Sequence, residues 1–186
     1  HVENTLSQLR TLVNKGAKVL PFLNGMTHFR LLEKEFGEAN VIRGLASIIA
    51  TLDDDGHVVQ TSGMHDFIFG AAHPSQVDFC KRLEEVFAPA NLNSSNSSRI
   101  LFALWQKYAF ITAFSGVTTA SRLPVGKILD TPETLELFQD VLQEMKELAA
   151  AYGVDLGEGI IDAVTQQIRD LPEDATSSMH QDFRKG

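Results

Sequence analysis

Between Arg99 and Arg122 the chain carries one formally charged side chain, Lys107, in a stretch that otherwise reads as buried helix. Ile100 to Phe114 runs ILFALWQKYAFITAF. Its apolar residues fall on every helical face rather than on one stripe, which predicts a helix inside a domain. A lysine is out of place there, because burying an ammonium disfavours its charged form and is costly unless the group is paired. Two readings stay open. Lys107 has a chemical use, or its stem lies on apolar surface while its amine reaches water.

The rhythm of the chain changes at the Ser and Asn cluster Asn91 to Ser98. Before it, short apolar strands alternate with amphipathic helices; after it the pattern is helical throughout. Val2 to Val13 predicts a surface helix ended by Gly16, Val19 to Leu23 a short strand, Asn24-Gly25 a turn, and Phe29 to Phe36 a helix closed by Gly37. Val41 to Leu52, His57 to Thr61 and Asp66 to Phe69 read as separate strands, with Asp53 to Gly56 and Gly63 as the breaks. Val77 to Phe87 returns to helix, with Val77, Leu83 and Phe87 broadly on its inner side. This order suits the closing portion of an α/β sheet domain over residues 1–95. An all-α domain over 96–186 then holds the Lys107 helix and a loop with Gly116, Pro124 and Gly126. A long helix follows from Pro132 to Tyr152, introduced by Thr131 and stopped by Gly153. Ile160 to Leu171 forms another helix, and Pro172 to Gly186 begins a last one.

Composition excludes more than it identifies. At 186 residues the chain is long enough to bury a substantial core, and its net charge of -8, with no basic block, argues against nucleic acid as a partner. The single cysteine, Cys80, allows no internal disulfide, and no Cys and His cluster has zinc-ligand spacing, so no metal is expected. Asn-x-Ser matches at Asn93 and Asn96 would matter only in a secreted protein, and no signal peptide suggests one. No apolar run approaches a transmembrane length, so the expectation is no membrane and a reducing cytoplasm.

Three separated motifs carry more information. Leu20-Pro21-Phe22-Leu23-Asn24-Gly25-Met26 is an apolar strand ending in Asn-Gly; Leu104-Trp105-Gln106-Lys107 lies on the buried helix; Ser177-Ser178-Met179-His180-Gln181-Asp182 opens the last helix. Singly each could arise by chance. In this order and spacing the set resembles the ketopantoate reductase (2-dehydropantoate 2-reductase) family. The resemblance implies the closing portion of a Rossmann-type NADP-binding domain, followed by a helical domain similar to the C-terminal domain of 6-phosphogluconate dehydrogenase. It implies NADPH as cofactor and a small 2-keto acid as substrate, most directly ketopantoate reduced to pantoate in pantothenate and coenzyme A biosynthesis. By the same resemblance Lys107 is the general acid, Asn24 lies beside nicotinamide and substrate, and Ser178 contacts the substrate's polar end. Lys107 should then line a cleft near Asn24 and Ser178. The local alternatives are a turn asparagine at Asn24 and a helix cap at Ser178, to which Asp174 and Thr176 are equally suited.

The pattern departs from the family in two respects. No Gly-x-Gly-x-x-Gly occurs, and the nearest approach, Gly157-Glu158-Gly159, sits between helices. The stretch is therefore expected to begin beyond the first half of the nucleotide domain, to stop before a family glutamate, and to be inactive and a poor NADPH binder alone. Family asparagines one and two turns after the lysine are replaced by Ile111 and Ser115, and a third by Ala175. Ser115 keeps a hydroxyl and remains a candidate substrate ligand, while Ile111 and Ala175 point to a related 2-keto acid reductase with a more apolar substrate. A reading from another class is a non-catalytic helical dimerisation or binding module, its partner a homodimer mate, since apolar helices such as Phe138 to Leu148 could pack on a partner.

Overall fold

The computed structural model describes residues 2–90 and 92–186, except for the side chains of residues 61–64. It contains two compact units, one ending at Leu104 and the other running from Trp105 to Gly186.

The first unit is built on a mixed sheet of order β1-β2-β3, with β1 at Arg43–Leu52, β2 at Val58–Gly70 and β3 at Asn93–Asn96. β1 and β2 are antiparallel and β3 runs parallel to β2. The chain enters through a 3-10 turn, Val2–Thr5, and helix α1, Leu6–Val13; α2 spans Thr27–Phe36 and α3 spans Val77–Phe87. Because side chains alternate across an extended chain, neighbouring residues just before β1 enter different cores. Val41 and Leu45 pack with Phe29, Leu32 and Phe36 of α2, whereas Ile42 joins Phe69 and Cys80. The buried position of α3 is Cys80; Leu83 and Phe87 pack beside it, and Val77, expected inside, is 43% exposed.

Several expected elements take a different form. Val19 to Leu23 is not a strand: only Val19 pairs, its N–H donating to Asn40 O and its carbonyl accepting from Ile42 N, both at 2.8 Å. The segment is nonetheless packed tightly, since a Cβ on Gly44 would come within 2.6 Å of Leu20. The two strands expected either side of Gly63 form the single strand β2, which takes up its extra residues where the pairing shifts from Ala50–Gln60 to Ile48–His65. The cluster expected only as a boundary forms β3, where Asn93 to Asn96 pair with Asp66 to Phe69; Asn91, where the cluster begins, lies outside the described residues. Pairing overrides the poor strand propensity of Asn and Ser.

Gln76 holds this unit together. It is fully buried, its Nε2 donates to the carbonyls of Glu38 at 2.7 Å and Val41 at 2.8 Å, and its Oε1 accepts from the N–H groups of Ala72 and His73 at 2.9 and 3.0 Å. One side chain thus satisfies four backbone groups from two segments.

The second unit is helical, with most of α4 (Ile100–Ser121) followed by α5 at Val125–Asp130, α6 at Pro132–Ala151, α7 at Ile160–Arg169 and α8 at Ser178–Lys185. The first turn of α4, at Ile100 and Leu104, belongs to the core of the first unit. α4 runs seven residues beyond Phe114, so Gly116, expected in a loop, is helical. At 22 residues it is long and apolar enough to cross a membrane, contrary to the sequence expectation, although burial of Trp105, Ala109, Ala113 and Val117 is that of a core helix. α6 buries Phe138, Leu142, Met145 and Ala149, one stripe at helical spacing. Thr131 occupies the position before α6, but its side chain makes no cap; Thr134 Oγ1 instead donates to the carbonyls of Ile128 and Thr131 at 2.9 and 3.0 Å. Gly153, at φ 78°, ends the helix in the left-handed region that glycine adopts readily.

Candidate functional site

In the first unit, Asn24 is exposed in the bend that precedes α2, and Gly25 supplies the turn with φ 81°. The position before α2 is Met26, and no side chain caps the helix. Among the described residues, the Asn24 carboxamide makes none of the local backbone hydrogen bonds expected of a turn asparagine. The exposed Asn24 carboxamide, three residues before α2 in sequence, and the first N–H groups of α2, which have no side-chain cap, can each hydrogen-bond a polar ligand. His28, to which the sequence reading gave no role, lies buried one residue into α2, and its Nε2 has no hydrogen-bond partner among the described residues. Burial, and secondarily the Arg43 guanidinium, hold its pKa below the ordinary histidine value. Arg43 pairs with Glu33 at 2.6 Å and lies over the Phe29 ring at 4.6 Å.

In the second unit, Lys107 is half-buried on α4, and desolvation lowers its pKa from the ordinary 10.5. On one side of α4, Trp105 packs against Tyr152 with ring centroids 5.4 Å apart, fixing the helix in its unit. Lys107, Ile111, Ser115 and Thr118 fall within a stripe ~80° wide on another side, at 3.6 residues per turn. Ser115 and Ile111 are half-buried and Thr118 is fully buried. The sequence reading missed Thr118, whose Oγ1 donates to the Phe114 carbonyl at 2.6 Å and lies 2.7 Å from Ser177 Oγ. Thr118 stands eleven residues, ~16 Å of helix axis, after Lys107.

Ser177, rather than Ser178, Asp174 or Thr176, caps α8, accepting from His180 N at 3.1 Å. Ser178 is exposed in the first turn and makes none of the capping bonds. The adjacent serines thus divide their work: Ser177 fixes the start of α8 to α4, and Ser178 keeps a hydroxyl for other uses. Ala175 lies in the preceding loop, its carbonyl accepting from Val125 N at 2.9 Å. Gly157 and Gly159 lie in the turn between α6 and α7, away from any strand. Among the described residues one group could gather on a cation, the exposed Asp53, Asp55 and His57 of the β1–β2 turn. Its hydrogen bonds, from the N–H groups of Asp55 at 3.0 Å and His57 at 2.8 Å to Asp53 Oδ1, are those that shape the turn.

A mixed sheet with flanking helices, followed by an all-helical unit, makes this a chain of α/β and all-α parts. Residues 1–74 match the family described as "Ketopantoate reductase PanE/ApbA", and residues 99–186 match "Ketopantoate reductase PanE/ApbA C terminal". The chain belongs to the ketopantoate reductase family. It is 28% identical to the uncharacterized oxidoreductase YkpB of Bacillus subtilis over 97% of this chain and 60% of that one. It is 23% identical to the 2-dehydropantoate 2-reductase of Streptococcus pyogenes over 96% of this chain and 58% of that one. Its fold is also that of a D-mandelate dehydrogenase solved with NADH and anilino(oxo)acetate, with a TM-score of 0.87 at 21% identity over 100% of this chain and 60% of the other. The chain spans about three fifths of the curated relatives it matches.

Proposed function

We propose that this chain is part of an NADPH-linked reductase of 2-keto acids, in which Lys107 is the general acid. The observation that carries the reading is the half-buried lysine on α4, its ammonium desolvated and its helix face shared with Ser115. A nicotinamide cofactor, when bound, supplies the hydride to the keto carbon. Lys107 gives a proton from Nζ to the keto oxygen as negative charge develops there, and desolvation eases that transfer by lowering the cost of the neutral amine. Asn24 orients the reacting groups, while Ser178 and Ser115 hold the polar end of the acid.

The half-buried Ile111 supports a substrate more apolar than ketopantoate, because a polar chain group laid against it would lose its hydrogen bonds. A homodimer is the assembly proposed for the whole protein. The test is NADPH oxidation by the full-length parent protein with ketopantoate and a panel of bulkier 2-keto acids. Lys107→Ala should lower kcat about 100-fold or more. Ile111→Asn should shift preference toward ketopantoate by roughly 10-fold. No turnover with any 2-keto acid, or turnover indifferent to Lys107, would overturn the reading.

A further inference from the structure

Arg122 is the one non-glycine with positive φ among the described residues, at 61°. It directly follows α4, where a left-handed residue commonly ends a helix and glycine or asparagine is the usual occupant. An arginine there carries a steric penalty that glycine would avoid, so the position points to a use for the side chain. The guanidinium lies over the Phe183 ring, 5.3 Å from its centroid. Arg122, Pro124, Asp174, His180 and Arg184 line an open surface cavity of about 460 Å³, in which Arg122, Asp174, Phe183 and Arg184 are exposed and His180 is buried.

The walls are fixed on both sides. Val125 N donates to Ala175 O and Gly126 N to Glu173 O, each at 2.9 Å, tying the Arg122 loop to the segment before α8. A Cβ on Gly126 would come within 3.0 Å of the Glu173 carbonyl oxygen, so the two segments approach closely here. His180 is 4% exposed, and Thr176 Oγ1 holds its Nδ1 at 2.6 Å. Neither Arg122 nor Arg184 forms an ion pair among the described residues, although Asp174 shares the cavity. Helical periodicity puts His180, Phe183 and Arg184 on the face of α8 opposite Ser178, ~160° from His180. The cavity is therefore separate from the proposed substrate contact.

We infer that this cavity binds a small organic polyanion, its phosphate or carboxylate groups taken between Arg122 and Arg184 and its carbon skeleton lying against Phe183 and Pro124. Two guanidiniums without acidic partners suit planar, multiply charged oxyanions. Asp174 keeps the site from being uniformly basic and offers an acceptor to a ligand hydroxyl.

The test uses the full-length parent protein, with inorganic pyrophosphate and citrate as probes, read by the His180 ring resonances and by calorimetry. Saturable binding of either probe with a His180 shift is expected, and the preferred probe distinguishes phosphate from carboxylate recognition. Arg122→Gly and Arg184→Gln should each weaken it about tenfold or more, while Ser178→Ala leaves it unchanged. Arg122→Gly should not lower Tm, because it removes the left-handed arginine, so loss of binding in that variant cannot be ascribed to unfolding. Absence of saturable binding, or binding that survives both arginine replacements, would overturn the inference. Neither readout depends on turnover, so its failure is distinguishable from failure of the reductase reading.

Discussion

The two units bury their polar groups on different terms. In the first, Gln76 is fully enclosed and each of its four hydrogen bonds goes to backbone, so its polarity is consumed in joining Glu38 and Val41 to the turn before α3. In the second, Lys107 is half-buried on a helix whose neighbouring faces are apolar, and the dominant effect on its ionisation is desolvation. Satisfied polar groups rigidify a fold; a desolvated ionisable group is held ready to exchange a proton at some expense to stability.

The comparison breaks most visibly at Gln76. Gln76→Leu leaves four backbone groups without their partner, and we expect a loss of about 3–5 kcal/mol in urea unfolding. A loss under ~1 kcal/mol would mean that water replaces the side chain. Ser177→Ala is next: removing the cap and the Thr118 contact should cost about 1–2 kcal/mol. Ser178→Ala should be near neutral in stability and appear instead as a raised KM in the parent enzyme. Equal stability costs at the two serines would erase the distinction drawn between them.

At Lys107 the expected stability effect is small, and its sign is opposite to that at Gln76 and Ser177. With its native pKa lowered below 10.5, folding releases a proton wherever pH lies between the lowered value and 10.5. The unfolded state then binds more protons, so stability rises with pH across that window, and the cost of burial is fully present below it. Lys107→Met should flatten this rise and leave stability at neutral pH unchanged or ~0.5–1 kcal/mol higher, even as activity is lost. A destabilised Lys107→Met would mean that the amine's contacts hold the fold.

What could be read from sequence follows the same physics. The bounds of α2, α3 and α6 were legible because periodicity, Pro132, Gly37 and Gly153 act within a few residues. β3 was not, since Asn93 to Asn96 form a strand only by pairing with β2 far away in sequence, and Val19 to Leu23, apolar enough for a strand, finds one pairing residue. Lys107 stood out as a lone charge in an apolar run, and the Asn-Gly and Ser-Ser motifs carried the family. The Thr118 contact with Ser177 links residues 59 positions apart and left as its sequence signal only a hydroxyl on the Lys107 face. Gln76 had a signal that went unread: His73-Pro74-Ser75-Gln76 has the spacing of a capping box, and the structure forms one.

The most direct test is the pH dependence of kcat/KM for the parent enzyme and its Lys107→Ala variant, with the best 2-keto acid of the panel. A general acid must be protonated, so the native rate should fall as pH rises through a pKa below 10.5, and the variant should be slow throughout and lack that step. A variant that keeps the same descending limb would assign the proton to another group and contradict the account.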